Sequence, residues 1–470
     1  MRKLIIILLL LVTWQLVTGD LCYANNIAVS NVTITGQSTS ASTCKVQFNI
    51  SWDNSWRNAI NYDAAWVFVK YSTDSGTTWS HATLKTAGTN PSGFSQGSGT
   101  GLDVVVPTDK KGAFLQRISN GSGSVSTTSI QFVWDWGTDG LSTSSTACVK
   151  VFAVEMVYIP QGAFYAGSGG TGTGEFTSTQ ITTADASASG GYPTGQTAAN
   201  ASWPNGYNAF YIMKHELSQG AWVDFFNTLT VTQKSTRDIT SATGKNSDGT
   251  VYRNTVSWTS GDASAGANQY VACNYLSWQD VVAFADWAGL RPMTELEYEK
   301  ASRGTVSAIA NEYAWGSTTI TQVTGITNGG ASNETASNSG NGLCAYGNHA
   351  SVQGPMRSGF AATASTTRAQ AGASYYGLME MSGNLWERPV TIGNATGRAF
   401  TGSSGDGALD ATGDANVTNW PSTDAVGSGF RGGAWYVDAT YARVSDRYYA
   451  AITFTDRNNA YGARCARTSP

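Results

Sequence analysis

The side chains of this chain that are able to do chemistry are few and scattered. Histidine occurs three times, as His81, His215 and His349, too far apart to suggest a two-histidine, one-carboxylate iron site. Past the N-terminal segment, Cys44, Cys148, Cys273, Cys344 and Cys465 show no Cys-x-x-Cys spacing, so zinc is not expected. Two carboxylates are better placed. Glu380 and Glu387 bracket Met381-Ser382-Gly383-Asn384-Leu385-Trp386. Hard cations want several oxygens, and a tight turn through glycine lets backbone carbonyls point inward. The C-terminal stretch suits recognition better than reaction. It carries Tyr436, Val437, Asp438, Tyr441, Asp446, Tyr448, Tyr449, Ile452, Phe454, Asp456, Asn458, Asn459, Tyr461 and Ala463. Tyrosine gives contact area at low entropy cost, and Asn and Asp add adaptable hydrogen bonds.

The elements that must position these residues read as mostly β. The chain has 470 residues, room for two or three domains. Charged residues make up only 13% and glycines number 53, which points to a loop-rich, β-leaning protein with 41% hydrophobic content for its core. The net charge of -4 without a basic block argues against nucleic-acid binding. Arg2 and Lys3 precede an apolar run over residues 4–12, too short for the roughly 20 residues of a membrane span. It reads as a secretory signal with cleavage after Ala24, and no later segment reads as transmembrane. A lipid anchor at Cys22 is the alternative, on a poor motif. In an exported protein disulfides are allowed: Cys44 with Cys148 would staple the first unit, and Cys465 would pair with Cys273 or Cys344. Buried free thiols are the other reading.

Residues 25–153 alternate apolar and polar in short runs, as in Val29-Ser30-Asn31-Val32-Thr33-Ile34-Thr35 and Cys44-Lys45-Val46-Gln47-Phe48. Further runs at 65–71, 102–106, 130–136 and 148–154, with Gly/Ser/Asn turns between, predict an immunoglobulin-like β-sandwich. His81 reads as a surface or turn residue there. The boundary near 153–156 has no flexible linker. Residues 166–202 read as a long surface loop. Helices are expected over 218–229, over 277–288 behind an Ser277 N-cap, and from Glu295 to Ser302 behind a Thr294/Glu297 capping box.

Several motifs in order resemble the formylglycine-generating enzyme family, also called the sulfatase-modifying-factor family. They are Met156-Val157-Tyr158-Ile159-Pro160, then Arg291-Pro292-Met293-Thr294-Glu295, Gly383-Asn384-Leu385-Trp386-Glu387, Gly429-Phe430-Arg431-Gly432-Gly433-Ala434-Trp435 and the closing Gly462-Ala463-Arg464-Cys465-Ala466. The resemblance implies an α+β, C-type-lectin-like domain over residues 154–470. It also implies a structural calcium held by the carboxylates of Glu380 and Glu387 and the carbonyls of Gly383 and Leu385. A second calcium would use Asn333, the Glu334 carbonyl, Asn348 and the Ala350 carbonyl. Trp386, Trp435, Arg431 and Arg464 take structural roles, and Arg291, Glu295 and Glu297 a turn held by local bonds.

The family's copper-binding cysteine pair is missing. The matching positions hold Ala442 and Arg447, and no thiol lies between Cys344 and Cys465. Neither copper nor cysteine oxidation carries over, and neither haem nor a nucleotide is expected.

The C-terminal residues named above can each be reached from an Asn codon ending in C by changing its first two adenines. From Tyr436 to Pro470 there is no Lys, Glu, Gln, Met or Trp, which that route cannot make. This is similar to the variable region of retroelement-diversified proteins, which use the same fold. The expectation is therefore a secreted or surface-exposed, non-enzymatic protein that binds a protein or carbohydrate ligand. Its site would be Tyr436, Asp438, Tyr441, Asp446, Tyr448, Tyr449, Phe454, Asp456, Asn458, Asn459 and Tyr461. The alternatives are a self-assembling extracellular structural or filament subunit, and an oxidoreductase with an unrecognised site.

Overall fold

The computed structural model describes residues 21–23 and 26–470, with side chains from residue 26 onward. The apolar N-terminal run and the cleavage position after Ala24 lie outside the described residues. Among the described residues the chain is mostly β with few helices, and no helix is long and apolar enough to cross a membrane.

Two sheets carry the fold. A five-stranded sheet is built around Thr43–Arg57, flanked by Ile27–Ser38 and Gly121–Trp134. A nine-stranded sheet runs Arg291–Pro292, Cys465–Thr468, Phe210–Met213, Cys148–Ile159, Asp63–Ser72, Ala113–Arg117, Leu102–Val106 and Gly88–Thr89, with Ser80–His81 also on Asp63–Ser72. Period-two alternation explains the first sheet. Val46, Phe48, Ile50 and Trp52 point into a core shared with Ala65, Val67 and Val69, while Lys45, Gln47 and Asn49 stay half-exposed.

The strand Asp63–Ser72 is buried on both faces. Its other side sends Trp66 and Phe68 into a second core with Trp222, Phe225 and Trp287. The expected domain border falls inside one strand. Cys148–Ile159 pairs with Asp63–Ser72 from Cys148↔Ser72 to Val157↔Asp63, and with Phe210–Met213 from Met156↔Met213 to Ile159↔Phe210. Further bonds cross the same line. Trp66 Nε1 donates to the Ala288 carbonyl (2.8 Å), Lys70 Nζ to the Gly407 carbonyl (2.7 Å) and Asn61 Nδ2 to the Tyr376 carbonyl (2.8 Å).

Helices start where their caps say. α1 (Gln219–Phe226) is capped by Ser218, α3 (Trp278–Trp287) by a Ser277/Asp280 box and α4 (Glu295–Arg303) by a Thr294/Glu297 box. α2 (Val231–Arg237) was not expected, because its Thr230/Gln233 capping box precedes a polar sequence with no apolar stripe.

Three expectations need correcting. Residues 166–202 are more than surface loop: Phe164–Ala166 pairs with Thr179–Ile181, and Phe176, Ile181 and Ala198 are buried. Sparse anchors are hard to see among so many Gly, Ser and Thr. His81 is buried. It stacks on Phe68 at 5.5 Å, its Nε2 donates to the Lys111 carbonyl at 2.5 Å, and burial pushes its pKa well below the usual imidazole value. Among the described side chains, Cys44, Cys148, Cys273, Cys344 and Cys465 are all free thiols. Cys44 lies on one sheet and Cys148 on the other, and burial pushes the Cys44 and Cys465 thiols up to about 12, which makes them unreactive.

The end of α3 has a measurable pH signature. Asp286 accepts from the backbone N–H groups of Asp406 (3.1 Å) and Asn416 (3.1 Å), and burial pushes its carboxyl up to about 7. The native state therefore holds a proton that the unfolded chain releases from roughly pH 4, so this group's contribution falls as pH rises toward 7. Asp286→Asn is expected to flatten the melting-temperature profile across that window; an unchanged slope would contradict the assignment.

Candidate functional site

Beneath the C-terminal segment lies a buried charge network centred on α4. Glu295 Oε2 accepts from Arg447 Nε (2.6 Å) and Arg431 Nη1 (3.3 Å), and Glu295 Oε1 from Thr391 Oγ1 (2.5 Å) and the Ile392 N–H (2.9 Å). Arg431 continues to Glu299 (2.8 Å), and Arg303 also contacts Glu299 (3.1 Å). Glu295, Glu299 and Arg431 have no solvent exposure. Buried charges are tolerated only when paired and hydrogen-bonded in this way. The neighbouring arginines outweigh desolvation and hold the Glu295 carboxyl below its usual value.

Glu295 was expected to serve a local turn. It instead ties α4 to residues about 150 positions away, as the Arg447 contact shows. Arg291 does behave locally, with a bidentate pair to Glu297 at 2.8 and 2.6 Å.

This network also sets the surroundings of positions 442 and 447. Ala442 is buried, with its carbonyl accepting from Ser382 Oγ at 2.6 Å. Arg447 is locked on Glu295 and lies 4.3 Å over the Phe176 ring. The loop before Phe176 closes over it: the Arg447 N–H donates to the Thr173 carbonyl (2.9 Å) and Arg447 Nη1 to the Gly174 carbonyl (2.8 Å). The Arg447 guanidinium is thus covered by a strap of main chain.

The 380–387 loop is buried beside it. Glu387 Oε1 accepts from Arg464 Nε (2.5 Å), while Glu387 Oε2 is buried with no partner. Glu380 Oε2 accepts from Ser358 Oγ (2.5 Å) and the Gly359 N–H (2.7 Å). Burial pushes both carboxyls up. The Gly383 N–H donates to the Gly432 carbonyl (2.7 Å), and the Leu385 N–H to Glu216 Oε1 (3.0 Å).

Glu216, which also bonds the Asn384 amide, organises this loop. Its sequence context shows only a strand end before a helix cap. Among the described residues no set of three or more His, Cys, Asp and Glu side chains converges as a metal group. At the second expected calcium position the Glu334 carbonyl accepts from the Arg357 guanidinium (3.1 Å), a poor place for another cation. Trp386, Trp435, Arg431 and Arg464 are all buried, as structural roles require.

The expected binding residues divide by burial. Tyr448 is 54% exposed, Phe454 43% and Tyr436 38%, and Asp438 and Asp456 are also exposed. Tyr441, Tyr449, Asn458 and Asn459 are half-buried. Asp446 and Tyr461 are buried and must be removed from the set. The Asp446 carboxylate accepts from the Thr173 (3.2 Å) and Tyr448 (3.2 Å) N–H groups, and Tyr461 packs on Phe430 at 4.5 Å. The frame between them faces inward: Ala442, Val444, Arg447 and Gly432-Gly433 are buried. Arg443 is only half-buried and donates to Thr171 Oγ1 (3.2 Å).

The rings interlock over Trp386. Tyr441 and Tyr449 meet it edge-on at 5.9 and 5.5 Å, and Tyr448 meets Tyr449 at 4.6 Å.

Comparison with known proteins matches residues 142–469 to the model of the sulfatase-modifying factor enzyme 1-like domain. Among solved structures, PvdO from Pseudomonas aeruginosa is similar, with 14% identity over 67% of this chain and 95% of that one. Its TM-score of 0.36 is too low to carry an argument about function. No curated protein matches the chain.

Proposed function

This chain belongs to the sulfatase-modifying factor enzyme 1-like family, and we propose that it works as an exported, non-catalytic recognition protein. The observation that carries this reading is the division of the 436–463 segment. Tyr436, Tyr448, Phe454, Asp438 and Asp456 reach solvent, while the intervening Ala442, Val444 and Arg447 are locked below. Exposed positions tolerate change within about 0.5 kcal/mol, so such a segment can vary while its frame holds. The residue types at the exposed positions are among those that diversification of an Asn codon could produce, although the same types also stand at the buried Asp446, Tyr461 and Ala463. The buried Ala442 and the Arg447–Glu295 pair support inactivity at the oxidase position. The two-layer packing of the N-terminal strands supports an immunoglobulin-like sandwich for residues 25–153.

Two results test the reading. Cysteine-containing peptides of the sulfatase type are expected to stay unconverted with or without copper; an aldehyde product by mass spectrometry would reveal another oxidising centre. Panning the purified chain against a displayed random-peptide library is expected to enrich binders that are lost on Tyr448→Ala/Phe454→Ala.

Calcium at the 380–387 loop stands as a separate proposal. The partnerless Glu387 Oε2 supports it, while the Arg464 guanidinium on the same carboxylate opposes it. Calcium wants six to eight oxygens, so backbone carbonyls such as those of Gly383 and Leu385 would have to supply much of the shell. A ligand that binds only the native state stabilises it. A chelator is expected to lower the melting temperature, and Glu387→Gln to abolish that response. No shift with chelator would remove calcium from the account.

A further inference from the structure

This inference rests on the recognition reading above and names the partner's chemistry. We propose that the 436–456 surface binds a polypeptide that presents lysine or arginine side chains. The exposed centre of the surface is aromatic. Tyr448 lies 5.6 Å from Tyr441 and 4.6 Å from Tyr449, and Phe454 sits 6.4 Å from Phe430. Ring faces carry negative potential and attract cations, more strongly once water is displaced.

Asp438 and Asp456 are the exposed ionisable carboxyl groups among residues 436–463. Asp438 accepts from the Thr440 N–H at 2.9 Å, and that bond holds its carboxyl below the usual range, which keeps it charged. Every arginine of the same stretch is turned to other work. Arg447 pairs with Glu295, Arg457 is bidentate on Asp280 at 2.7 and 2.8 Å, and Arg443 bonds the Thr171 hydroxyl.

A cation arriving here would meet exposed ring faces and two exposed carboxylates, with the half-buried Arg443 near Asp438 and the buried Arg388, 4.4 Å over the Phe430 ring, as the positive charges it must outcompete. An acidic peptide would be repelled by both aspartates. A neutral glycan would stack on the rings and leave Asp438 and Asp456 unused, which makes it the competing outcome. Charge complementarity of this kind sets which partner is accepted more than how tightly it is held.

The test uses the full chain and the binders from the random-peptide library. The enriched peptides are expected to carry Lys or Arg next to apolar residues. A synthetic copy of one should weaken as salt rises, and should bind Asp438→Asn/Asp456→Asn on the order of tenfold more weakly, the size expected for losing partly desolvated cation contacts. Both sites are exposed, so the variant's melting temperature should match the parent's. Enriched peptides with no excess of Lys or Arg, or an affinity unmoved by Asp438→Asn/Asp456→Asn, would overturn the cation preference. Recognition itself would survive that result as long as Tyr448→Ala/Phe454→Ala still removes binding. If no peptide is enriched, or if Tyr448→Ala/Phe454→Ala leaves binding intact, the recognition reading falls and this inference with it.

Discussion

Glu295→Ala is expected to cost the protein most of its stability. The carboxylate is fully buried and receives Arg447, Arg431, Thr391 and the Ile392 N–H. Its removal leaves the buried Arg447 guanidinium without a carboxylate and Arg431 with that of Glu299 alone. Breaking a buried pair by deleting one partner costs about 3–5 kcal/mol, against a total of about 5–15 kcal/mol for a folded domain. Little soluble protein should accumulate, and what does should unfold at a much lower denaturant midpoint. Glu295→Gln keeps one acceptor oxygen and should fall between the two. A loss below about 1 kcal/mol for the alanine variant would mean that Arg447 and Arg431 find other partners, and the hub role would be wrong.

The second large effect concerns the family domain on its own. Residues 142–470, expressed without what precedes them, are expected to aggregate. The strand Cys148–Ile159 would lose Asp63–Ser72 along ten paired positions and become a long apolar edge. The core around Trp287, Phe225 and Tyr211 would lose Trp66, Phe68 and Phe114, which pack directly on it. Arg467, whose guanidinium lies 4.1 Å over the Trp66 ring and pairs with Asp109, would lose both contacts. Deleting one buried aromatic side chain costs about 3–5 kcal/mol, so losing three together exceeds what the rest of the fold can offset. A monodisperse, cooperatively melting fragment would show that the two halves are separable and that the shared strand is incidental.

The aromatic surface and the buried hub were unequally legible. Arg431, Arg464 and the two tryptophans were readable as structural through the resemblance of their motifs to the core of the family. Gly432 and Gly433 do adopt positive φ, at 90° and 75°, which side-chain-bearing residues rarely do. Asp446 and Tyr461 were placed among the exposed residues because their types match their neighbours'. A tyrosine facing out and one packed on Phe430 are the same letter, and only the path of the chain separates them. The long-range partners of Glu216 and Glu295 were missed for a related reason. Each acts on residues more than a hundred positions away, and no local pattern records a partner at that distance.

By itself, the sequence determined what depends on short-range physics. The alternation in Thr43–Arg57 makes a strand with one buried face, Ser277 and Thr294 start helices, and the ordered motifs from Met156 to Ala466 place the chain in its family. It also determined that no thiol stands at positions 442 and 447, whatever the fold. The tertiary structure decided what depends on long-range contact: that His81 is buried, that the cysteines on opposite sheets stay unpaired, and that one strand serves both halves. It decided as well which tyrosines face water. Burial is a property of what packs against a residue, and that neighbour is supplied from elsewhere in the chain.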